Sequence, residues 1–536
     1  MTVFQQERLL FTPATPETNA IPAIFAFPNE YTIGITSLGF QIVWATLAMR
    51  SDVDVRRLFT NLSEPLPPNS ELLGFSVSWE LDYINIFELL ESLAIPLLSI
   101  ERQENHPLVF GGGTVLTANP EPLADFFDVI LLGDGEDLLD SFIDAYQEVR
   151  NADRATKLQH LAQIPGVYIP SLYEVTYGSA DGEIKAIAAI DTNIPTTVKK
   201  QTYRGNTLSA STVVTEQAAW ENIYMVEVVR SCPEMCRFCL ASYLTLPFRT
   251  ASVANSLIPA IERGLKVTNR LGLLGASVTQ HPEFDAILDY LSQPQYDDVR
   301  LSIASVRTNT LTEKLASTLV QRDTRSITIA VESGSERLRQ IVNKKLTNEE
   351  IIQAAINAQA GGLKALKLYG MVGIPGEEME DVAATITMMS AIKKAAPKLR
   401  LTLGCSTFVP KSHTPFQWLG VNPDAKKRLK YLEKNLRQQG INFRPESYNW
   451  SVIQALISRG DRRLGKLLQL TREFGDSVGS YKRAFKQLKG KIPTLDYYVH
   501  KHWRAGTQVL PWQHLQGPLP QKTLVNHLKE AMTVKS

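Results

Sequence analysis

Cys232, Cys236 and Cys239 crowd three of the chain's four cysteines into the stretch 230-RSCPEMCRFCLAS-242. Thiols at these spacings can seat a zinc ion, close a disulfide loop or ligate an iron–sulfur cluster. Zinc asks for a fourth thiolate or imidazole, and none lies within the next forty residues. Four cysteines in 536 residues make no disulfide framework. A [4Fe–4S] cluster on three thiolates leaves one iron open to a substrate or cofactor, so a three-ligand seat argues for chemistry rather than structure.

The elements that must hold these thiols are legible around them. The apolar run IYMVEVVR (223–230) directly before the cysteines reads as a strand, which puts the thiols on a βα loop. Strand candidates continue at 271–277, 299–307, 326–335, 365–376 and 399–411, with helical patterns between most of them. That makes six strand–helix units, fewer than the eight of a closed barrel. A (β/α)6 partial TIM barrel is expected over residues 221–420, with the cysteines on the face where such folds place their chemistry.

The first 165 residues also alternate strand and helix: ELLGFSVSW (71–79), YINIFELLESLAI (83–95), HPLVFGGG (106–113) and FFDVILLGDGEDLLDSFIDAY (126–146). A Rossmann-like parallel α/β domain over 1–165 follows, its glycine turns at the carboxyl ends of the strands. Residues 166–220 read as a hairpin turning at Ala180-Asp181-Gly182 and then a polar linker. Residues 421–536 read as a basic α-helical domain. It carries 22 Lys+Arg against 8 Asp+Glu, whereas the first 420 residues carry 34 against 47. A basic region on an acidic body suits RNA or another polyanion, and equally suits docking on that body. No apolar run approaches the roughly 20 residues that cross a bilayer. The N-terminal MTVFQQERLLFTPATPE lacks a secretory pattern, so a cytoplasmic location with no membrane partner is expected.

Cx3Cx2C with Phe238 before the last cysteine, on the first loop of a six-unit partial barrel, resembles the radical S-adenosylmethionine (SAM) enzymes. The resemblance implies a [4Fe–4S] cluster on Cys232, Cys236 and Cys239 whose open iron chelates SAM. It also implies an electron donor of flavodoxin or ferredoxin type and reductive cleavage of SAM to a 5′-deoxyadenosyl radical. Carried over position by position, Glu332 in VESGS is similar to the polar residue that meets the SAM ribose. Gly373 and Gly376 in GMVGIPGE resemble the segment passing the adenine. Ser305 and Arg307 end the third strand, where an arginine meets the SAM carboxylate. The usual Gly-Gly-Glu of the second strand reads Gly275-Ala276-Ser277 here, without a carboxylate, and Ser277 or backbone carbonyls are expected to substitute.

The segments 74–91, 109–137, 408–418, 457–465 and 509–515 together look like radical SAM proteins with a cobalamin-binding-like N-terminal domain. Gly111, Gly112, Gly113, Gly133 and Gly135 are the candidate loops for cobalamin. They serve equally as tight turns in a domain without that cofactor, and no Asp-x-His-x-x-Gly motif supplies an axial histidine. No cysteine precedes Cys232 and none follows Cys405, so the chain builds one cluster by itself. Cys405 reads as a buried apolar residue, with a catalytic thiol facing the barrel as the lesser alternative. Ser458-Arg459-Gly460-Asp461-Arg462-Arg463 reads either as an anion site or as a helix connection. Lys411 and His413 contact substrate or pin a loop, and Trp503 and Trp512 stack on bases or anchor helices. Three functions remain: cobalamin-dependent methyl transfer, cobalamin-free hydrogen abstraction on RNA, protein or a small molecule, and RNA binding with a structural or redox-sensing cluster.

Overall fold

The computed structural model describes residues 2–304 and 306–534. The N-terminal sheet holds β1 (Ile21–Ala26), β2 (Val53–Leu58), β3 (Leu72–Ser76), β4 (Leu108–Gly112), β5 (Val129–Leu131) and β6 (Val167–Tyr168), in the order β2-β1-β3-β4-β5-β6. All neighbours are parallel except β6, which closes the edge antiparallel to β5. Central strands read as continuous apolar runs because helices cover both faces; in β1 only Pro22 is not buried. The strand order reverses at β1, which leaves a crevice at the carboxyl ends of β1 and β3.

The second sheet system begins with β7 (Ile223–Glu227), β8 (Arg270–Leu274) and β9 (Arg300–Ile303). It continues through β10 (Ser326–Glu332), β11 (Ala365–Val372) and β12 (Arg400–Thr407) to β13 (Asn442–Pro445). Every ladder is parallel, and a bridge from Val306 to Ile329 joins the two halves. This is the expected partial barrel with a short seventh strand on its edge. The sequence hid β13 inside a helical, basic region because four residues carry no periodicity of their own. Strand β10 alternates intermediate and buried positions, one face to the helices and the other to the lumen.

The polar stretch before residue 220 is threaded rather than loose. Val198–Lys199 pairs with Leu515–Gln516, Gln201 bridges Gly133, and Val213–Val214 pairs with Arg8–Leu9. A hairpin of Tyr173–Tyr177 and Ile184–Ala189 precedes it.

The helices after residue 447 share a hydrophobic core with the N-terminal sheet, whereas the barrel keeps a core of its own. Their arginines reach back to acids of the first half of the chain: Arg462 to Glu121 at 3.2 Å, Arg472 to Glu91 at 2.9 Å and Arg504 to Glu183 at 2.6 Å. Part of the charge asymmetry is therefore met inside the molecule. The S-R-G-D-R-R segment is a helix connection. Arg459 is fully buried, donates to the carbonyls of Val499 at 3.0 Å and Lys501 at 2.9 Å, and lies 4.0 Å over the Trp503 ring. Trp503 and Trp512 are 6% and 3% exposed, which makes them helix anchors. Lys411 pins its loop through Glu80 and the Ser458 hydroxyl. No described helix is long and apolar enough to cross a membrane.

Candidate active site

The cysteine loop leaves β7 and is held from three sides. Ser231 and Met235 adopt positive φ, +72° and +56°, conformations that non-glycine residues keep only when their surroundings impose them. Asn343 Nδ2 donates to the Met235 carbonyl at 2.8 Å. Arg237 Nη1 donates to the carbonyls of Gln340 and Ile341 at 2.8 and 2.9 Å. The last helix, Gln521–Met532, braces the same loop through Glu530 on Arg237 and His527 on the Tyr243 hydroxyl.

All three thiols line one cavity of about 330 Å³ at the carboxyl ends of β8 to β11. Burial pushes the Cys236 thiol up to about 12, with Lys344 opposing it, and also raises Cys239. Opposing burial at Cys239, the backbone N–H groups of Ser242 and Ala241 favour its thiolate. The buried Ser242 hydroxyl has no hydrogen-bond partner among the described residues. Among the described residues no three His, Cys, Asp or Glu side chains converge on a point that suits a single metal ion. Three thiols on the wall of one cavity suit a cluster, whose irons each take a separate sulfur. The residues present therefore fit a [4Fe–4S] group.

Of the residues expected around SAM, Phe238, Ser277, Arg307 and Glu332 line this cavity. Ser305 lies outside the described residues. Gly373 and Gly376 do not line it. Their positive φ of 76° shapes a turn whose Gly373 N–H donates to Glu377 Oε2 at 2.6 Å, and Arg428 clamps the same carboxylate. Arg307 is engaged by Glu234 at 2.9 Å, a carboxylate between Cys232 and Cys236. That pair ties the cysteine loop to the end of β9. Glu332 has φ +65° where the ladder to β11 shifts register, which turns its carboxylate into the cavity. There it meets Lys344 Nζ at 3.1 Å.

Sequence reasoning missed Glu234, Gln280, Lys344 and Tyr369. Glu234 was signalled by its place inside the cysteine motif, and Gln280 accepts from Ser277 while donating to Glu234. Lys344 arrives from a turn at Asn343, φ +57°, and no strand end announces it. Cys405 faces the outer core of the barrel, 2% exposed.

A second cavity, about 340 Å³, opens at the carboxyl ends of β1, β3, β4 and β5. Its floor is apolar, with Phe25, Phe75, Phe110 and Leu131, and its far wall is Glu227 and Arg230 of the barrel. Gly112, Gly113, Gly133 and Gly135 line it; Gly111 does not. A Cβ on Gly111 would meet Leu116 and Phe127 at 2.6 Å, and one on Gly113 would meet the Val77 carbonyl at 2.5 Å. At Gly133 it would strike the Gln201 carbonyl at 2.1 Å, so packing explains these three. Gly112 and Gly135 leave room, with nearest atoms at 3.6 and 3.5 Å, and Gly39 on the same cavity has nothing within 4 Å. Asp134 and Glu136 are occupied by Arg249 at 2.6 Å and Arg230 at 2.7 Å. No histidine is among the described lining residues. The short helix Leu240–Tyr243 lies between the two cavities, Ala241 and Ser242 on one side and Thr245 just beyond it on the other.

Comparison with known proteins agrees with this geometry. The profile of the radical SAM superfamily matches residues 226–389, and that of the N-terminal region of radical SAM proteins matches residues 47–170. An uncharacterised protein of Methanocaldococcus jannaschii is 28% identical over 463 residues, covering 85% of this chain and 93% of its own. A tRNA-2-methylthio-N(6)-dimethylallyladenosine synthase of Prosthecochloris aestuarii is 25% identical over 178 residues, 31% of this chain and 40% of its own. Among solved structures, the radical SAM methyltransferase TsrM of Kitasatospora setae superposes with a TM-score of 0.50 at 14% identity, covering 74% of each chain, and so shares the fold. The partial barrel, its cysteine loop and the two profile matches make one statement: the chain is an enzyme of the radical SAM superfamily, whose cofactors are a [4Fe–4S] cluster and SAM.

Proposed function

We propose that Cys232, Cys236 and Cys239 ligate the cluster, that SAM occupies the same cavity against Glu332, and that the enzyme is a cobalamin-dependent methyltransferase. On this reading residues 1–165 are the corrinoid domain, 221–420 the SAM domain and 421–536 the helical cover. The observation that carries it is the second cavity, at the carboxyl ends of the N-terminal strands. Gly39, Gly112 and Gly135 leave space there that no packing demand explains. A cavity of about 340 Å³ suits the planar base of a nucleotide tail rather than a whole macrocycle. A corrinoid held there would have no protein imidazole. The fold shared with TsrM, solved with cobalamin and a [4Fe–4S] cluster bound, supports the same reading.

When bound, the cluster supplies one electron to SAM and the corrinoid supplies a methyl carrier. The chain's own residues bind and shield. The Ala241 and Ser242 N–H groups stabilise the Cys239 sulfur, the Glu332 carboxylate is aimed inward by its backbone, and Lys344 balances it. The Glu234–Arg307 pair fixes the loop on which the thiols sit. The reducing partner is of flavodoxin or ferredoxin type.

The deciding experiment is corrinoid content after expression with cobalamin, purification without oxygen and reconstitution with iron and sulfide. Close to one corrinoid per chain is expected, with SAM converted to both S-adenosylhomocysteine and 5′-deoxyadenosine. Bound iron without corrinoid, and 5′-deoxyadenosine as the sole product, would refute methyl transfer and leave hydrogen abstraction.

A further inference from the structure

The cysteine cavity reaches into the lumen of the partial barrel, where Thr328, Ala330 and Tyr369 line it. Barrel interiors are ordinarily packed by layers of branched side chains, but the lumen faces of β10 and β12 carry Thr328, Ala330, Thr402 and Gly404. The ladder registers place side chains in rungs. Thr328, Lys367, Thr402 and Asn442 form one rung, and the Asn442 amide donates to the Thr402 hydroxyl at 3.3 Å. Ala330, Tyr369, Gly404 and Arg444 form the next, nearer the cysteines. Because side chains alternate along a strand, Lys367 shares the face of Tyr369, and Arg444 shares that of Asn442.

Tyr369 lines the cysteine cavity and is 58% exposed, although it sits on a central barrel strand. A Cβ on Gly404 would meet its ring at 3.2 Å, so the ring leans over Gly404, on the strand between β11 and that of Arg444. Lys367 and Arg444 are exposed, and neither forms an ion pair with a described carboxylate. The two carboxylates that line this cavity, Glu332 and Glu234, are already held by Lys344 and Arg307. Tyr369 lines the cysteine cavity, and Lys367 and Arg444 lie beyond its lining, exposed on adjoining rungs of the same ladder; two unpaired cations beside an uncovered aromatic face concentrate anions.

We propose that this lumen is the substrate seat and that it takes an anionic substrate with a planar body. The body stacks on Tyr369, and a phosphate or carboxylate pairs with Lys367 and Arg444. This deepens the reading above and rests on it for the chemistry. Arg444 offers two parallel N–H donors to such an anion and Lys367 a compact charge, a pairing that favours an anion over a neutral ring of the same shape.

The test titrates phenyl phosphate, benzoate and neutral benzyl alcohol into the full chain, reconstituted with iron and sulfide and holding SAM, by calorimetry without oxygen. Wild type is expected to bind at least one of the two anions and not the alcohol. The anion that binds names the group. Lys367→Gln and Arg444→Gln are each expected to weaken it about tenfold or more, the loss of one charge-assisted contact. Tyr369→Ala should weaken it in the same direction. Lys426→Gln, on the exposed outer face of helix Ala425–Gln438, should bind as wild type does. Circular dichroism and iron content confirm that each variant is folded and loaded. Failure of both anions to bind, or unchanged affinity in Lys367→Gln and Arg444→Gln, overturns the proposal. Iron content and SAM cleavage of the wild type are read on the same preparation. Binding lost in the variants from a wild type that neither holds iron nor cleaves SAM would keep the anion site and sink the functional reading. The reverse pattern would sink the anion site alone.

Discussion

Asp134→Asn tests how the N-terminal sheet is fastened to the barrel. Asp134 follows β5, and its Oδ2 takes Arg249 Nη1 at 2.6 Å, the Tyr203 N–H at 3.0 Å and Arg230 Nη1 at 3.7 Å. Arg230 also meets Glu136 at 2.7 Å and Glu227 at 2.6 Å, and stands two residues before Cys232. With the buried Lys200 nearby, three cations face three carboxylates at this seam. Burial would raise the Asp134 carboxyl, but Lys200, Arg230 and Arg249 outweigh it and hold it below the usual carboxylate value.

The asparagine keeps the shape and the acceptor for Tyr203 but leaves one positive charge in excess. Breaking a buried pair typically costs 3–5 kcal/mol. Arg249 keeps the carbonyls of Tyr203, Thr245 and Pro247, and Arg230 keeps two carboxylates, so about 2–3 kcal/mol is expected here. Urea unfolding at neutral pH measures it. A depressed carboxylate stabilises the fold above its unfolded pKa and loses that contribution only as pH falls through the lower, folded value. The gap between wild type and variant should therefore stay constant between about pH 8 and pH 5. The double variant Asp134→Asn with Arg249→Met should recover about 1–2 kcal/mol of the summed single losses. A single-variant loss below about 0.5 kcal/mol, the range of ordinary surface changes, would refute the claim that this seam depends on charge balance.

Three further outcomes follow from the same structure. Serine at Cys232, Cys236 or Cys239 should abolish the iron of the reconstituted protein and its reductive cleavage of SAM, whereas Cys405→Ser should keep both; iron assay and product chromatography decide it. His413 and His514 are buried and neutral, each pushed down to about 4 by desolvation. The unfolded chain therefore takes up these protons first, and stability should fall as pH drops from about 6.5 towards 4, by roughly 3 kcal/mol per histidine. The slope should flatten in His413→Gln and His514→Gln. Gly112→Val fills space that borders only the second cavity, where the nearest atom to an added Cβ is 3.6 Å away. It should change stability by less than about 1 kcal/mol while lowering corrinoid content severalfold against wild type in the same expression.

What the sequence disclosed was what lies contiguous along it. The cysteine loop, the strands that carry it and the glycine turns of the N-terminal sheet are local patterns, and their positions in the structure agree with them. What it hid depends on partners far along the chain. Lys344 reaches Glu332 because a turn at Asn343 brings it back over the cavity, and Tyr369 shares a rung with Arg444 only through the registers of β11, β12 and β13. Exposure is equally invisible in sequence. Trp503 and Trp512 beside basic residues have the composition of a base-stacking surface, yet Arg459 and Gln417 hold them inside a helical core.

The glycines carry the same lesson further. In sequence all five candidates of the N-terminal turns are equivalent, since each can serve a tight βα connection. Only the neighbours distinguish them: Gly111, Gly113 and Gly133 are fixed by atoms a Cβ would strike, and Gly112 and Gly135 are not. A glycine that packing demands says nothing of a ligand. On the reading proposed above, the ones that packing leaves free, on the wall of a cavity opposite the arginine that leads into the cysteine loop, are where the corrinoid would lie.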